Sequence, residues 1–390
     1  MRKLKNIYHL FQAVLANLWY GFPSRHLKVI GVTGTDGKTT TTHLIAHILK
    51  TTGKKVSFIS SVYASIGGQE YGIGFHVTTP SPFALQKLLK QSVDNNDEYF
   101  VLETTSHALD QNRIWGIKYE VGVITNITHE HLDYHGTYEE YVRTKSKLLF
   151  NSKVAVLNAD DESYKNIKYQ ISNIKNTDQK LKILTYNLSR FKKYDYLTKF
   201  NQYNYAAAYT VCQQLGLLDE VILAAMKIFK LPKGRLDLVY DKDFKVIIDF
   251  AHTPNAFENL LPEIRRQYLK KEGKLIHVFG SAGLRDFTKR PLMGEASDKF
   301  SDIIILTEED YRTESLEKIC QQIASGIKNK NYQIIPDRQQ AINQAIKAAK
   351  KNDVVVITGK GHENSLCRGK IEYPWDEYEA VRKAIKNIKS

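Results

Sequence analysis

The stretch Gly31-Val-Thr-Gly-Thr-Asp-Gly-Lys-Thr-Thr40 follows a β-rich run and opens a helical one. A Gly-Lys-Thr at a strand-to-helix junction is the context of a phosphate-binding loop in an α/β layer. Gly34 and Gly37, with Thr35 and Asp36 between them, let the backbone bend and turn N–H groups toward an anion. The helix starting near Lys38 aims the positive end of its dipole at the same anion. Lys38 would neutralise the β- and γ-phosphates, the Thr39 hydroxyl would coordinate Mg²⁺, and Thr40 would complete the nucleotide-facing turn. The usual G-x4-G-K-[ST] spacing asks for glycine at position 32, where this chain has Val32, so the loop is a variant. A glycine-rich turn with no ligand is the plain structural alternative, and it leaves the Gly-Lys-Thr unexplained.

Around that loop the chain alternates β-rich and helical segments. Strands are expected at 28–33, 55–60, 99–103, 121–125 and 154–157, with helices between them, such as 40–50 and 82–91. After Leu231-Pro232-Lys233-Gly234 a second series begins, with strands at 245–250, 274–280, 302–307, 332–335 and 353–358. Its helices are expected at 254–269, 314–328, 338–350 and 376–386. Such alternation indicates mostly parallel sheets covered by helices. The Pro-Lys-Gly segment breaks helix and is the natural boundary. The expected organisation is an amphipathic helix in residues 1–27, a P-loop-type ATPase domain at 28–232 and a Rossmann-like domain at 233–390. The stretch 178–199 resists assignment.

A length of 390 residues suits two domains with an appendage. Cys212, Cys320 and Cys367 are widely spaced and match no zinc pattern, which points to a reducing compartment. The net charge of +14 fits either a lysine-rich soluble protein or attraction to nucleotide, phosphorylated substrate or an acidic membrane face. The basic residues are dispersed and no aromatic–basic module appears, which argues against nucleic acid. Near the start, Ile7, Leu10, Phe11, Val14, Leu15 and Leu18 recur at helical spacing. The segment is too short to span a bilayer, and no small-residue cleavage site follows it. It reads as a helix packed on the body or, with Arg2, Lys3 and Lys5 at its start and Trp19 and Tyr20 at its end, as an interfacial helix.

Glu103 ends the run Tyr-Phe-Val-Leu-Glu, at the carboxyl edge of a sheet where ligands of open α/β folds gather. A carboxylate there suits Mg²⁺ bridging nucleotide phosphates. The segment 121–135 is crowded with histidines and acids; hard oxygen ligands with one imidazole suit Mg²⁺ or Mn²⁺ better than zinc. A buried polar cluster without metal is the alternative.

Six motifs now stand in order: Thr33-Gly-Thr-Asp-Gly-Lys-Thr39, Glu103-Thr-Thr-Ser-His-Ala-Leu-Asp-Gln-Asn-Arg113, Thr125-Asn-Ile-Thr-His-Glu-His-Leu-Asp-Tyr-His-Gly136, Asp249-Phe-Ala-His-Thr-Pro254, Lys289-Arg-Pro-Leu-Met293 and Gly359-Lys-Gly-His-Glu363. From about residue 28 to the C-terminus the chain resembles the Mur ligases of the MurE type. That resemblance implies an ATP- and Mg²⁺-dependent ligase. ATP phosphorylates a carboxylate of a muramyl-dipeptide-type acceptor, and the amine of an incoming amino acid attacks the acyl phosphate, in peptidoglycan synthesis in the cytoplasm. It further implies Glu103 and His131 as metal ligands and Lys145 as a carbamylated lysine, with Lys147 the competing candidate. Asn126 resembles an ATP-contacting residue, Asn204 the adenine-side asparagine, Arg235 a phosphate-reaching arginine and Asp249 a ribose ligand. Thr78, Thr79, Thr105, Gln111 and Arg113 correspond to acceptor contacts. Arg285, Arg312, Gly359 and Glu363 correspond to positions holding the incoming amino acid. Surface ion pairs are the bland alternative for this last group, and domain closure is expected because the two sets lie on different domains.

Two departures narrow the resemblance. The family carries an N-terminal domain for the UDP part of its substrate, whereas 27 residues precede the first expected strand here. The uridine grip is then missing or supplied by a partner, and the acceptor is lipid-linked or otherwise altered, which gives weight to membrane contact through residues 1–27. In the specificity loop, relatives that add diaminopimelate carry Asp-Asn-Pro-Arg; this chain has Glu309-Asp-Tyr-Arg312. The arginine favours a distal carboxylate, as in diaminopimelate, and the added acids a distal ammonium, as in lysine. Competing readings keep the fold with another acceptor (poly-γ-glutamate, cyanophycin-like or folylpolyglutamate chemistry), or make the chain a regulatory nucleotide binder or a P-loop motor.

Overall fold

The structure is a computed structural model that describes residues 2–72, 78–128, 130, 132–172, 181–192, 194–329 and 331–388. It divides into two compact units, one running to Lys230 and one starting at Leu231.

The first unit contains helices α1 (Arg2–Tyr20), α2 (Lys38–Thr51), α3 (Pro82–Asp94), α4 (Ser106–Asp110), α5 (Leu132–His135), α6 (Tyr138–Phe150), α7 (Tyr164–Ser172), α8 (Lys199–Gln214) and α9 (Asp219–Lys227). Its strands are β1 (Lys28–Thr33), β2 (Val56–Ile59), β3 (Ala64–Ile66), β4 (Gln69–Tyr71), β5 (Tyr99–Glu103), β6 (Tyr119–Ile124), β7 (Ser152–Asn158) and β8 (Lys182–Tyr186). They form one sheet in the order β4-β3-β2-β5-β1-β6-β7-β8. Strand β5 explains why the sheet is buried on both faces. Its Tyr99 and Val101 pack with Ile30, Val32, Leu44 and Ile48, while Phe100 and Leu102 pack with Val29, Leu85 and Leu89 on the other side. A strand buried at every position, apolar up to its final acid, is a central parallel strand. Strand β1 pairs in parallel with β5 on one side and β6 on the other, so Val32 lies beside Glu103 and Thr33 beside Ile124. Their carboxyl ends therefore form one edge, where the chain crosses from β5 past β1 to β6.

Several elements depart from the expected pattern. The antiparallel hairpin β3–β4 extends the sheet beyond β2. Its turn is Gly67-Gly68, both at positive φ, a readable hairpin signal. Strand β8 lies within the stretch that resisted assignment and pairs in parallel with β7. Helix α1 starts at Arg2, earlier than expected, and packs against α3.

The second unit contains β9 (Asp237–Asp241), β10 (Lys245–Asp249), β11 (Leu275–Phe279), β12 (Ile303–Leu306), β13 (Tyr332–Ile334), β14 (Val354–Thr358), β15 (Ser365–Arg368) and β16 (Ile371–Pro374). Its helices are α10 (Pro254–Tyr268), α11 (Lys289–Phe300), α12 (Leu316–Ala324), α13 (Arg338–Ala348) and α14 (Glu377–Asn387). The main sheet runs β13-β12-β11-β14-β10-β9 and is parallel except for β9. Val246, Ile248, Ile276, Val278, Val355 and Ile357 anchor its core. Strands β15 and β16 form a separate hairpin. Helix α11 is not among the expected helices; Pro291 falls in its first turn, where no intrahelical N–H is lost.

Candidate active site

The loop between β1 and α2 is held by neutral groups. The backbone N–H of Thr35 donates to the Asn126 carbonyl (2.8 Å). The Asn126 side chain reaches the next residue twice: its Oδ1 accepts from the Asp36 N–H (2.9 Å) and its Nδ2 donates to the Asp36 carbonyl (3.1 Å). Thr125 Oγ1 donates to that same carbonyl at 2.6 Å. Gly34 and Gly37 sit at φ 152° and 81°. A Cβ at Gly34 would strike the Thr125 hydroxyl, and one at Gly37 the Asn204 amide oxygen. Glycine is thus required twice, by conformation and by space. Gly37 caps α2 without a side-chain hydrogen bond, leaving the first turn open to an anionic ligand. Asn204 is buried; its Nδ2 donates to Asn201 Oδ1 (3.1 Å) and its Oδ1 lies 3.4 Å from the Thr41 hydroxyl.

Hard oxygen donors gather at the carboxyl edge of β1 and β5. Thr39 Oγ1 is 3.1 Å from Glu103 Oε1 and 2.8 Å from Ser61 Oγ, and the Ser61 N–H donates to Glu103 Oε2 at 2.8 Å. Such an all-oxygen set suits Mg²⁺ rather than a soft metal. Ser61 was missed by the sequence reading, because it lies in a short polar loop after β2 that carries no motif. His131 lies outside the described residues, and among the described residues no cluster of three or more His, Cys, Asp or Glu could hold a metal.

Two lysines flank the loop. Lys38 Nζ donates to the Thr35 carbonyl (2.8 Å) and Lys145 Nζ to the Gly34 carbonyl (2.6 Å). Lys145 is almost wholly buried on α6. Burial, and then the nearby Lys38 charge, push its pKa well below the ordinary value, against the pull of Glu130 and Asp36. Lys147, two residues on, is partly exposed and lies 3.9 Å from Asp110. Of the two candidates, only Lys145 is placed against the phosphate loop.

The residues expected to meet the acceptor form a patch beyond Glu103. Thr79 Oγ1 donates to the Glu103 carbonyl (3.2 Å), and the Thr105 N–H donates to Thr79 Oγ1 (3.1 Å). Thr105 also caps α4 by accepting from the Ala108 N–H. Arg113 donates from Nε to Gln111 Oε1 (2.8 Å) and from Nη1 to the Thr79 carbonyl (3.1 Å). Burial lowers its pKa. Gln111 in turn donates to the Tyr134 hydroxyl, which donates to Asp110. Thr78 is half-buried beside the undescribed 73–77.

The second unit carries the remaining residues. Arg235 lies over the Phe250 ring (4.7 Å) with Nη1 3.4 Å from His362 Nδ1 and 3.0 Å from the Gly234 carbonyl. Asp249 ends β10 and accepts the N–H groups of Leu236 (2.6 Å) and Ala251 (2.7 Å), while burial raises its pKa. The loops after β11, β12 and β14 are built from paired charges. Glu308 accepts both prongs of Arg368. Lys360 donates to both Asp310 oxygens (2.9 and 3.0 Å) and lies 2.5 Å from Glu363. Burial opposes that ammonium, but Glu363 and Asp310 outweigh it and raise its pKa. Buried Arg290 grips Glu314 through two nitrogens (2.6 and 2.8 Å) and donates to the Ala282 carbonyl. This clamp fixes the two loops that present Arg285 and Arg312. Arg290 belongs to the motif Lys289-Arg-Pro-Leu-Met293, whose spacing alone does not disclose that role.

Two charges in these loops stand apart. Arg312, at φ 52°, donates from Nη1 to the Gly283 carbonyl (2.7 Å) and lies 3.4 Å from the Asp310 carbonyl. Glu309 is only 7% exposed, and its buried Oε2 has no hydrogen-bond partner among the described residues. That oxygen abuts Gly359, at φ 103°, where a Cβ would come within 2.8 Å. Arg285 is exposed.

A phosphate loop with oxygen donors at its edge, followed by a second parallel-sheet unit, defines a nucleotide-dependent α/β enzyme. Comparison with known proteins names the class. The family description "Mur ligase middle domain" matches residues 32–214, and "Mur ligase, glutamate ligase domain" matches residues 234–361. The chain is 40% identical over 391 residues to a UDP-N-acetylmuramoyl-L-alanyl-D-glutamate–2,6-diaminopimelate ligase of Aquifex aeolicus (strain VF5), covering 95% of this chain and 80% of that one. A solved structure of a ligase with the same name superposes with TM-score 0.60 at 30% identity, covering 93% of this chain and 79% of that one. Escherichia coli FolC with DHPP and ADP superposes with TM-score 0.72 at 19% identity, covering 97% and 93%; at that identity it shows the fold alone. The chain belongs to the Mur ligase family. It is an ATP-dependent, ADP-forming acid–amino-acid ligase.

Proposed function

We propose that this ligase joins an amino acid bearing a second ammonium group, diaminopimelate or lysine, to a carboxylate of a UDP-N-acetylmuramoyl-L-alanyl-D-glutamate-type acceptor, in the cytoplasm, as a step of peptidoglycan synthesis. The observation that carries the choice of amino acid is the pair of charges left over in the second unit. Glu308, Asp310, Glu314 and Glu363 meet cations directly, but Glu309 Oε2 has no hydrogen-bond partner among the described residues, with Arg338 acting on that carboxylate through charge alone, and Arg312 meets only carbonyls. A buried carboxylate without a partner is costly. An ammonium would satisfy it, and a guanidinium held by carbonyls keeps donors for a carboxylate. Diaminopimelate offers both groups at its far end and is favoured over lysine.

In the first unit Lys38 and the open first turn of α2 would hold the γ-phosphate as an acceptor oxygen attacks it. Thr39, Ser61 and Glu103, with His131 on the family resemblance, would hold Mg²⁺, which neutralises charge spreading over the transferred group. The amine of the incoming amino acid then bonds to the acyl carbon, and phosphate departs with the former carboxylate oxygen. Positioning and charge stabilisation suffice, without covalent protein chemistry. Burial shifts Lys145 toward its neutral amine, the form that adds to CO₂, and the product of that addition would be a carbamate anion and a released proton. That carbamate would supply a further oxygen ligand beside the loop. On the family resemblance, Asn204 would meet the adenine of ATP, Arg235 its phosphates and Asp249 its ribose.

The test is ADP release with Mg²⁺-ATP, acceptor and a panel of amino acids. Turnover that requires both the muramyl-dipeptide and diaminopimelate or lysine supports the proposal. Turnover with another acid–amine pair alone would overturn the cell-wall assignment while leaving the ligase chemistry.

A further inference from the structure

Helix α1 is amphipathic the wrong way round. Its buried residues are small or polar: Ala13, Ala16 and Asn17. Asn17 spans the contact, donating to the Ala13 and Trp115 carbonyls. Its large apolar residues face outward: Leu4, Ile7, Tyr8, Phe11, Leu15, Leu18 and Trp19 are all exposed, Leu4 at 73% and Trp19 at 79%. At ~100° per residue these seven fall within about 120° of arc, a single stripe along the helix. A contiguous apolar stripe of this kind marks a binding surface.

We propose that this stripe seats the enzyme on an anionic lipid surface. Charge favours that occupant. No carboxylate occurs before Asp36, while Lys3, Lys5 and Arg25 do, beside Arg2 and Lys28, which pair with Asp110 and Glu98. Lys5, Arg25 and His26 are exposed. Shape favours it as well. A lone helix displaying its stripe is convex, so a protein partner must supply a matching groove, whereas acyl chains close around any convex apolar surface. Tyr8 and Trp19 pair an apolar ring with a polar tip, as suits the headgroup boundary. The helix does not cross: no described helix is long and apolar enough to span a bilayer.

The helix is also tied to the active-site side of its unit. Arg2 donates from Nε and Nη2 to Asp110 (3.0 and 2.8 Å) and Asn6 donates to the same carboxylate (3.2 Å). Burial would raise that carboxylate's pKa, but these bonds and Tyr134's hydroxyl hold it well below the usual range. Tyr134 accepts from Gln111, so a lipid-seated α1 would hold the acceptor patch at the membrane face.

The test is co-sedimentation of the full chain with phosphatidylglycerol–phosphatidylcholine vesicles and with phosphatidylcholine alone, using no substrate, so that it stands apart from the proposed reaction. The wild type should bind the anionic vesicles, less tightly at high salt. The triple variant Ile7→Ser/Phe11→Ser/Leu18→Ser should bind at least about tenfold more weakly, since apolar area sets the affinity of such helices, with thermal stability unchanged. Wild type and variant binding alike, or no binding at all, would overturn the proposal. So would a wild-type dimer in analytical ultracentrifugation that the variant abolishes, which would make the stripe a self-association face.

Discussion

The phosphate loop of the first unit and the amino-acid loops of the second are built from opposite materials. The first is buttressed by backbone groups and neutral side chains, Thr125, Asn126 and Asn204, and its cation, Lys38, rests on a carbonyl, as does the buried amine of Lys145. The second is pinned by ion pairs: Arg290–Glu314, Arg368–Glu308 and Lys360 between Asp310 and Glu363. A site for a polyanion gains by leaving its positive charge uncompensated. A site that distinguishes small zwitterions must fix its loops rigidly, and paired charges do so while leaving one anion and one cation, Glu309 and Arg312, for the ligand.

If this contrast holds, removing charge from the first loop should cost the most. Lys38→Ala should lower kcat for ADP release about 10²–10³-fold, the loss typical of removing a group that meets developing charge; normal turnover would end the phosphate-loop assignment. Lys145→Ala, which removes the proposed carbamate oxygens, should lose about 10²-fold and recover part of it with an added short-chain carboxylate. Full activity without the additive would remove Lys145 from the site.

Changes in the second unit should alter selectivity more than rate. Glu309→Gln should raise KM for diaminopimelate and lysine about 10–100-fold, the value of one charge-assisted hydrogen bond, with a smaller change in kcat. Binding of norleucine, which lacks the second ammonium, should not move; an equal loss for both kinds of amino acid would mean a structural role only. The smallest effect concerns stability. The ordinary Glu314 pKa of 4.5 is pulled to about 2, chiefly by the hydrogen bonds from Arg290. Because the folded value lies below the unfolded one, its stabilisation is complete above about pH 4.5 and drains as pH falls toward 2. The Tm difference between wild type and Glu314→Gln should shrink through that window, and a constant difference would discount the pair.

The same contrast explains what could be read from the chain alone. The phosphate loop announces itself because glycines at 34 and 37 are forced by local geometry, and Glu103 because an apolar run ends on an acid at the sheet edge. The central parallel strands could be read because their apolar residues run together, as in β5, β12 and β14, whereas the more exposed β8 could not. Ser61, the Arg290–Glu314 clamp and the isolation of Glu309 could not, because each depends on a partner distant in sequence. Helix α1 carried a correct period but no sign of which face would be buried; Ala13, Ala16 and Asn17 are its buried residues, while Leu4, Leu15 and Leu18 stay exposed.

The most direct test of the central claim follows an oxygen atom. With ¹⁸O in the acceptor carboxylates, an acyl-phosphate route carries one labelled oxygen into the released phosphate at each turnover. Labelled phosphate, formed only when acceptor and amino acid are both present, is the predicted result. Product formation with all of the released phosphate unlabelled would contradict the account.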